Sequence, residues 1–145
     1  MNYIFSAIFL YFFLGFLLYT FQRRIVFNKS GHPGTPKDYN LENTEEVYIK
    51  TEDNLELLSW HHKGNNSLPL LVYFHGNSFH IGDRAYRIQR YIEKNWSVLL
   101  VSWRGFGGNE GNPTENNLYK DAEAVLKWIK NNTEFKFEEL VIYGE

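Results

Sequence analysis

The chain contains no cysteine, which excludes disulfides, thiolate metal sites and a cysteine nucleophile but leaves the compartment open, since proteins of either redox environment can lack the residue. It also lacks a charge excess: 15 Lys and Arg stand against 17 Asp and Glu, a formal net charge of -2. Without a basic field there is no electrostatic footprint for a nucleic acid, so that class of partner is set aside. Internal repeats and low-complexity tracts are missing as well. His32, His61, His62 and His80 have no carboxylate or glycine context that marks a site, and none pairs at zinc-ligand spacing. No metal or cofactor is therefore expected. The remaining absence is local: no Asp, Glu, Lys or Arg occurs from Ile4 to Phe21.

That run of 18 residues is just long enough to cross the roughly 30 Å hydrocarbon core as a helix. It is apolar around its whole circumference, unlike a surface helix of a soluble protein. It reads as a membrane anchor. The competing reading, a cleaved signal peptide, asks for a basic residue before the run and small residues at its end, whereas Tyr19-Thr20-Phe21-Gln22-Arg23 is bulky. Arg23, Arg24 and Lys29 follow the span, so the positive-inside rule predicts a single-pass protein with its soluble part on the cytoplasmic face. The predicted organisation is a membrane anchor with basic flank over residues 1–24, a linker over 25–43 built on Gly31-His32-Pro33-Gly34-Thr35-Pro36, and one globular domain over 44–145. A hydrophobic fraction of 43% and an aromatic fraction of 18% are those of a folded chain rather than a disordered one.

Within the domain, Val47 and Ile49 alternate with polar neighbours, and Leu55, Leu57 and Ser59 follow a Glu52-Asp53-Asn54 turn, the pattern of an antiparallel hairpin. Leu70-Leu71-Val72-Tyr73-Phe74, Ser97-Val98-Leu99-Leu100-Val101 and Leu140-Val141-Ile142-Tyr143 are continuous apolar runs, as expected of parallel strands covered on both faces. Ile81, Ala85, Ile88 and Ile92 recur at helical spacing between the first two runs, with Arg84, Arg87 and Arg90 on faces read as solvated. Leu118, Ala122, Val125 and Ile129 do the same between the second and third, after Pro113-Thr114 as a helix start. Strand, helix, strand, helix, strand predicts an α/β fold with a doubly wound sheet.

The chemistry-bearing loops follow the three apolar strands: His75-Gly76-Asn77-Ser78, then Arg104-Gly105-Phe106-Gly107-Gly108-Asn109-Glu110-Gly111, then Gly144-Glu145. The carboxyl edge is where open α/β sheets bind ligands. Gly105-Phe106-Gly107-Gly108-Asn109-Glu110 invites a dinucleotide reading, but the third glycine is replaced by Glu110, whose charge would repel a pyrophosphate. Gly76-Asn77-Ser78-Phe79-His80 has a serine at the centre of half an elbow pattern, with His80 where close packing asks for glycine. Asp121 suits the helix dipole and needs no catalytic role.

These loops together resemble the α/β-hydrolases, and among them a membrane-anchored branch similar to serine aminopeptidases and lysophospholipases, which pairs His-Gly-Asn with a later Arg-Gly-aromatic-Gly loop. The resemblance covers essentially the whole chain, the anchor and Phe21-Gln22-Arg23-Arg24 included, and Tyr143-Gly144-Glu145 corresponds to the opening of a Gly-x-Ser-x-Gly nucleophile elbow. It implies the N-terminal half of an α/β-hydrolase sheet, with the nucleophile, acid and histidine lying past Glu145. It further implies that a backbone N–H of the loop after His75-Gly76 serves the oxyanion hole, Asn77 first and Ser78 second, with Gly76 letting the backbone turn tightly. Since the triad order is serine, acid, histidine, His75 is expected to be structural, and Arg104 to tie neighbouring loops together. Two functions stay open. One is a serine hydrolase acting on a small-molecule or peptide ester or amide, inactive as these 145 residues; the other is a non-enzymatic fragment, or one half of a split protein that needs a complementing C-terminal half.

Overall fold

The computed structural model describes residues 2–29 and 31–145. Helix α1 (Asn2–Val26) extends past the charge-free run and takes Arg23 and Arg24 into its last turn. From Tyr3 to Val26 it is long and apolar enough to cross a membrane, and large side chains such as Phe5, Phe9, Tyr11 and Phe16 stand exposed along it. After it, β1 (Asn28–Lys29) runs parallel to β5 (Ser78–Phe79). A 3-10 turn at Pro36–Tyr39 leads to Leu41, which is in the core. Tyr39 and Leu41, in the segment read as a linker, thus pack against the core of the domain.

The hairpin forms as predicted. Strands β2 (Thr44–Lys50) and β3 (Glu56–His62) pair antiparallel, Val47 opposite Ser59. Asn54 adopts φ 63°, a left-handed value that asparagine tolerates, and Thr51 N–H donates to Leu55 O at 2.9 Å to close the turn. Strands β4 (Leu70–Phe74), β6 (Ser97–Val101) and β7 (Leu140–Gly144) complete a sheet of order β2-β3-β6-β4-β7, in which β4 runs parallel to both β6 and β7.

The continuous apolar runs have a physical reason here. Alternate residues of a strand face opposite sides of the sheet, and both sides are covered. Leu71, Tyr73, Val98 and Leu100 pack with Ile81, Ala85 and Ile88, the last two on α2 (Ala85–Ile92). Leu70, Val72, Leu99 and Val101 pack with Ala124, Val125 and Ile129 of α3 (Glu115–Asn132). The α3 stripe includes Ala124 and Asp121, both buried, whereas the predicted Ala122 is only half-buried. Thr114 caps α3, its Oγ1 accepting from Asn117 N–H at 3.3 Å. The chain crosses from β4 through α2 to β6 on one side of β4, then through α3 to β7 on its other side. The ends of β4, β6 and β7 therefore open onto one rim.

Candidate functional site

The three loops meet at that rim. Glu145 N–H donates to Phe74 O at 3.2 Å, which extends the β4–β7 ladder by one residue. The Glu145 side chain then turns onto the loop after β4. Oε2 accepts from Gly76 N–H at 3.1 Å and from Arg84 Nε at 3.0 Å. Oε1 accepts from the Tyr73 hydroxyl at 2.9 Å and lies 2.8 Å from Arg87 Nη1. Burial acts to raise this carboxyl, but the bonds from Gly76, Tyr73 and Arg84 outweigh it and hold the pKa below its ordinary value. Burial, and then the same carboxylate, raise the Tyr73 pKa, so the hydroxyl remains a donor.

This arrangement corrects the expectation of a solvated arginine face. Arg84 and Arg87 both pair with Glu145, and only Arg90 stays exposed, its guanidinium 5.2 Å from the centre of the Tyr91 ring. The sequence carried no signal for it, because the acidic partner lies some sixty residues downstream. Gly76 also has a different reason from the one expected. Its φ is not in the left-handed region, and what the position shows is close approach: a Cβ there would sit 3.2 Å from Glu145 Cβ and 3.4 Å from Oε2, so the Glu145 side chain would have to give by a few tenths of an ångström.

His75 is 2% exposed and structural. Its Nδ1 lies 2.7 Å from Gly76 O, and its Nε2 accepts from Trp103 N–H at 3.4 Å. A neutral ring protonated at Nδ1 satisfies both, and burial pushes the pKa down to about 4. Trp103 returns a bond from Nε1 to His75 O at 2.8 Å and stacks on Phe74 at 4.7 Å, locking the loop after β6 to the loop after β4.

Asn77 and Ser78 lie at the same rim, beside the segment that leaves the helix: Asn28 N–H donates to Asn77 O at 3.1 Å, and Asn28 stands in register with Ser78. Among the described residues no acceptor meets the Asn77 N–H. Ser78 Oγ donates to Asn77 Oδ1 at 3.3 Å, and among the described residues no hydrogen bond joins it to a histidine. Phe79, the next residue, has φ 63° without being glycine.

Behind the rim, Arg104 does tie the loops together. Its Nη1 and Nη2 meet Asp53 at 2.7 and 3.1 Å, and its Nε and Nη2 meet Asp121 Oδ1 at 2.8 and 2.6 Å. The Arg104 amide donates to Asp121 Oδ2 at 3.1 Å. Burial works against the guanidinium charge, and the two carboxylates outweigh it, so the Arg104 pKa is raised. Asp121 is thus a fully buried counter-ion, not a residue placed for the helix dipole. Gly105 and Gly107 shape the turn as expected, with φ of 76° and 58°. Asn109 accepts Leu58 N–H at 2.9 Å and donates to Ser102 O and Trp103 O at 3.0 and 3.2 Å, a brace to β3 that the sequence did not announce.

A recess of about 470 Å³ lies between the hairpin and Gly107–Glu110. It holds no nucleophile beside a base, so the rim remains the candidate site. Among the described residues, no group of three His, Asp or Glu is placed to hold a metal ion.

No family model matches the chain. Protein bem46 of Schizosaccharomyces pombe is 32% identical over 143 residues, covering 91% of this chain and 47% of that protein. The alpha/beta hydrolase domain-containing protein WAV2 of Arabidopsis thaliana is 29% identical over 138 residues, covering 88% of this chain and 44% of that one. The solved esterase Pf2001 of Pyrococcus furiosus superposes with a TM-score of 0.62 at 27% identity, over 81% of this chain and 48% of the esterase. The chain spans about half the length of the curated relatives it matches. With a parallel sheet extended by an antiparallel hairpin, a helix packed on each face, strand-end loops converging at one rim and these relatives, the chain belongs to the α/β-hydrolase superfamily.

Proposed function

We propose that these residues are the N-terminal scaffold of a membrane-anchored serine hydrolase that cleaves an ester or amide through an acyl-enzyme. The observation that carries the reading is the approach of Glu145 to the His75-Gly76-Asn77 loop, 3.1 Å from Gly76 N. That approach would set a serine following Glu145 beside the Asn77 amide. In the first step the serine oxygen adds to the substrate carbonyl carbon and its proton passes to a histidine. The carbonyl oxygen, now an oxyanion, takes up the electron pair and accepts from the Asn77 N–H. Collapse expels the alcohol or amine, which leaves with that proton. A fixed oxyanion donor contributes roughly 3–4 kcal/mol. The 145 residues hold neither that serine nor its acid and base, so alone they are inactive. The domain sits on the cytoplasmic side of the membrane.

A second reading is a non-enzymatic fragment or half of a split protein. In it, a complementing C-terminal half would cover β7, where Val141, Ile142 and Tyr143 are 41%, 61% and 37% exposed. The nucleotide sequence across and past codon 145, with the size of the protein found by an antibody to the region after Arg24, separates the two. A larger product that carries Ser-x-Gly and takes a fluorophosphonate label supports the enzyme. A 17.2 kDa product without label sinks it.

A further inference from the structure

Four donors from three separate elements converge on the single carboxylate of Glu145: the Gly76 amide from the loop after β4, the Tyr73 hydroxyl from β4 itself, and Arg84 and Arg87 at the start of and within α2. The side chain is only 15% exposed. Tyr73 also stacks on Tyr143 at 4.7 Å, so the end of β7 is fastened to β4 on both sides of Gly144. An exposed ion pair of this kind would contribute little. This one includes an amide of the loop proposed to hold the oxyanion, and the residue that bears it stands next to the proposed nucleophile.

We infer that Glu145 is a positioning residue for acyl transfer: its carboxylate, held by Gly76 N–H, Tyr73 OH, Arg84 and Arg87, fixes the distance between the nucleophile and the Asn77 amide. The inference rests on the serine-hydrolase reading above. Two consequences follow from the geometry. The Gly76 amide is already taken by a carboxylate, so the oxyanion donor from this loop is the next amide, Asn77. The two guanidiniums also neutralise a negative charge that would otherwise lie one residue from the developing oxyanion, where like charge opposes the transition state. Arg84 and Arg87 therefore act through Glu145, and Arg90, which does not reach it, has no such role.

The test uses the full gene product in nanodiscs, with p-nitrophenyl butyrate as substrate and active sites counted by a fluorophosphonate. Glu145→Gln keeps the size and loses the charge. It is expected to lower kcat per titrated site about tenfold or more with little change in KM, since misplacement of this order costs rate rather than affinity. Arg84→Ala combined with Arg87→Ala is expected to lower kcat further, and adding Glu145→Gln to that pair to restore part of the loss. A purely structural role would not give that reversal. Arg90→Ala is expected to leave kcat unchanged. Amide hydrogen exchange at Gly76 is expected to accelerate in Glu145→Gln, and Tyr73→Phe, which removes one donor, serves if Glu145→Gln does not fold. Unchanged kcat in labelled Glu145→Gln, or in Tyr73→Phe where that variant stands in, overturns this inference alone. A wild-type product that takes no label overturns the serine-hydrolase reading and this inference with it, even where Gly76 exchange responds.

Discussion

Arg104 and Asp121 face each other in the interior with 2% and 0% of their side chains exposed, and Asp121 Oδ1 lies 2.6 Å from Nη2 and 2.8 Å from Nε. Removing Arg104 would strand Asp121 without water, which costs about 3–5 kcal/mol, whereas removing Asp121 leaves Arg104 its contacts to Asp53 at 2.7 and 3.1 Å; replacing both by apolar groups of similar volume can be neutral. Arg104→Met is expected to lower unfolding free energy by that order, Asp121→Leu by less because Asp53 still meets the guanidinium, and the double variant to recover most of the Arg104→Met loss. Denaturant titration followed by tryptophan fluorescence measures all three, and single losses under about 1 kcal/mol would mean the pair is effectively solvated.

His75 and His61 are both held neutral by burial, with pKa values pushed down from 6.5 to about 4; Lys63 adds to the effect at His61. The unfolded chain takes up those protons near pH 6.5 while the folded chain refuses them until about pH 4. Stability is therefore full above the unfolded value and is lost as pH falls across that window. For His75 the loss amounts to about 3 kcal/mol at most. The slope of stability against pH is expected to shrink by one proton in His75→Asn, and an unchanged slope would contradict the assignment.

Gly105 and Gly111 hold φ of 76° and 92°, and an added Cβ would lie 2.9 Å from Gly111 O in the first case and 2.8 Å from Leu55 Cδ1 in the second. Alanine at either position is expected to cost about 1–3 kcal/mol. Gly105→Ala should cost more, because it meets backbone where Gly111→Ala meets the end of a side chain. Gly15→Ala, with open space around it, should leave the thermal midpoint unchanged.

The span from Tyr3 to Val26 is about 36 Å long at 1.5 Å per residue, which exceeds the roughly 30 Å hydrocarbon core. The chain should resist alkaline carbonate extraction, and a version starting at Phe27 should be released. A reporter fused after Glu145 should be active on the cytoplasmic side, and activity confined to the outer face would reverse the orientation.

Much of the fold was legible because it depends on periodicity. Leu70 to Phe74 and Ser97 to Val101 read as doubly covered strands since every residue is apolar apart from Ser97, and the helices between them carry one stripe each. The turn around Gly105 was legible because few residues but glycine take positive φ there. The site was legible only as three loops in sequence. That Glu145 would meet Gly76, Arg84 and Arg87, or that Asp53 and Asp121 would share Arg104, had no local signal, since each contact joins residues 17 to 69 positions apart.

The sequence by itself determined the apolar helix, the hairpin, the order of strands and helices and the glycines of the loop after β6, because each follows from local backbone preference and from which faces must leave water. Only the tertiary structure decided which charges are paired. It buried Asp121 with Arg104, and turned Arg84 and Arg87 from solvent onto Glu145. It also laid the segment after the anchor across Asn77 and Ser78. These outcomes depend on how the sheet brings distant strand ends within about 3 Å, the range over which a hydrogen bond forms.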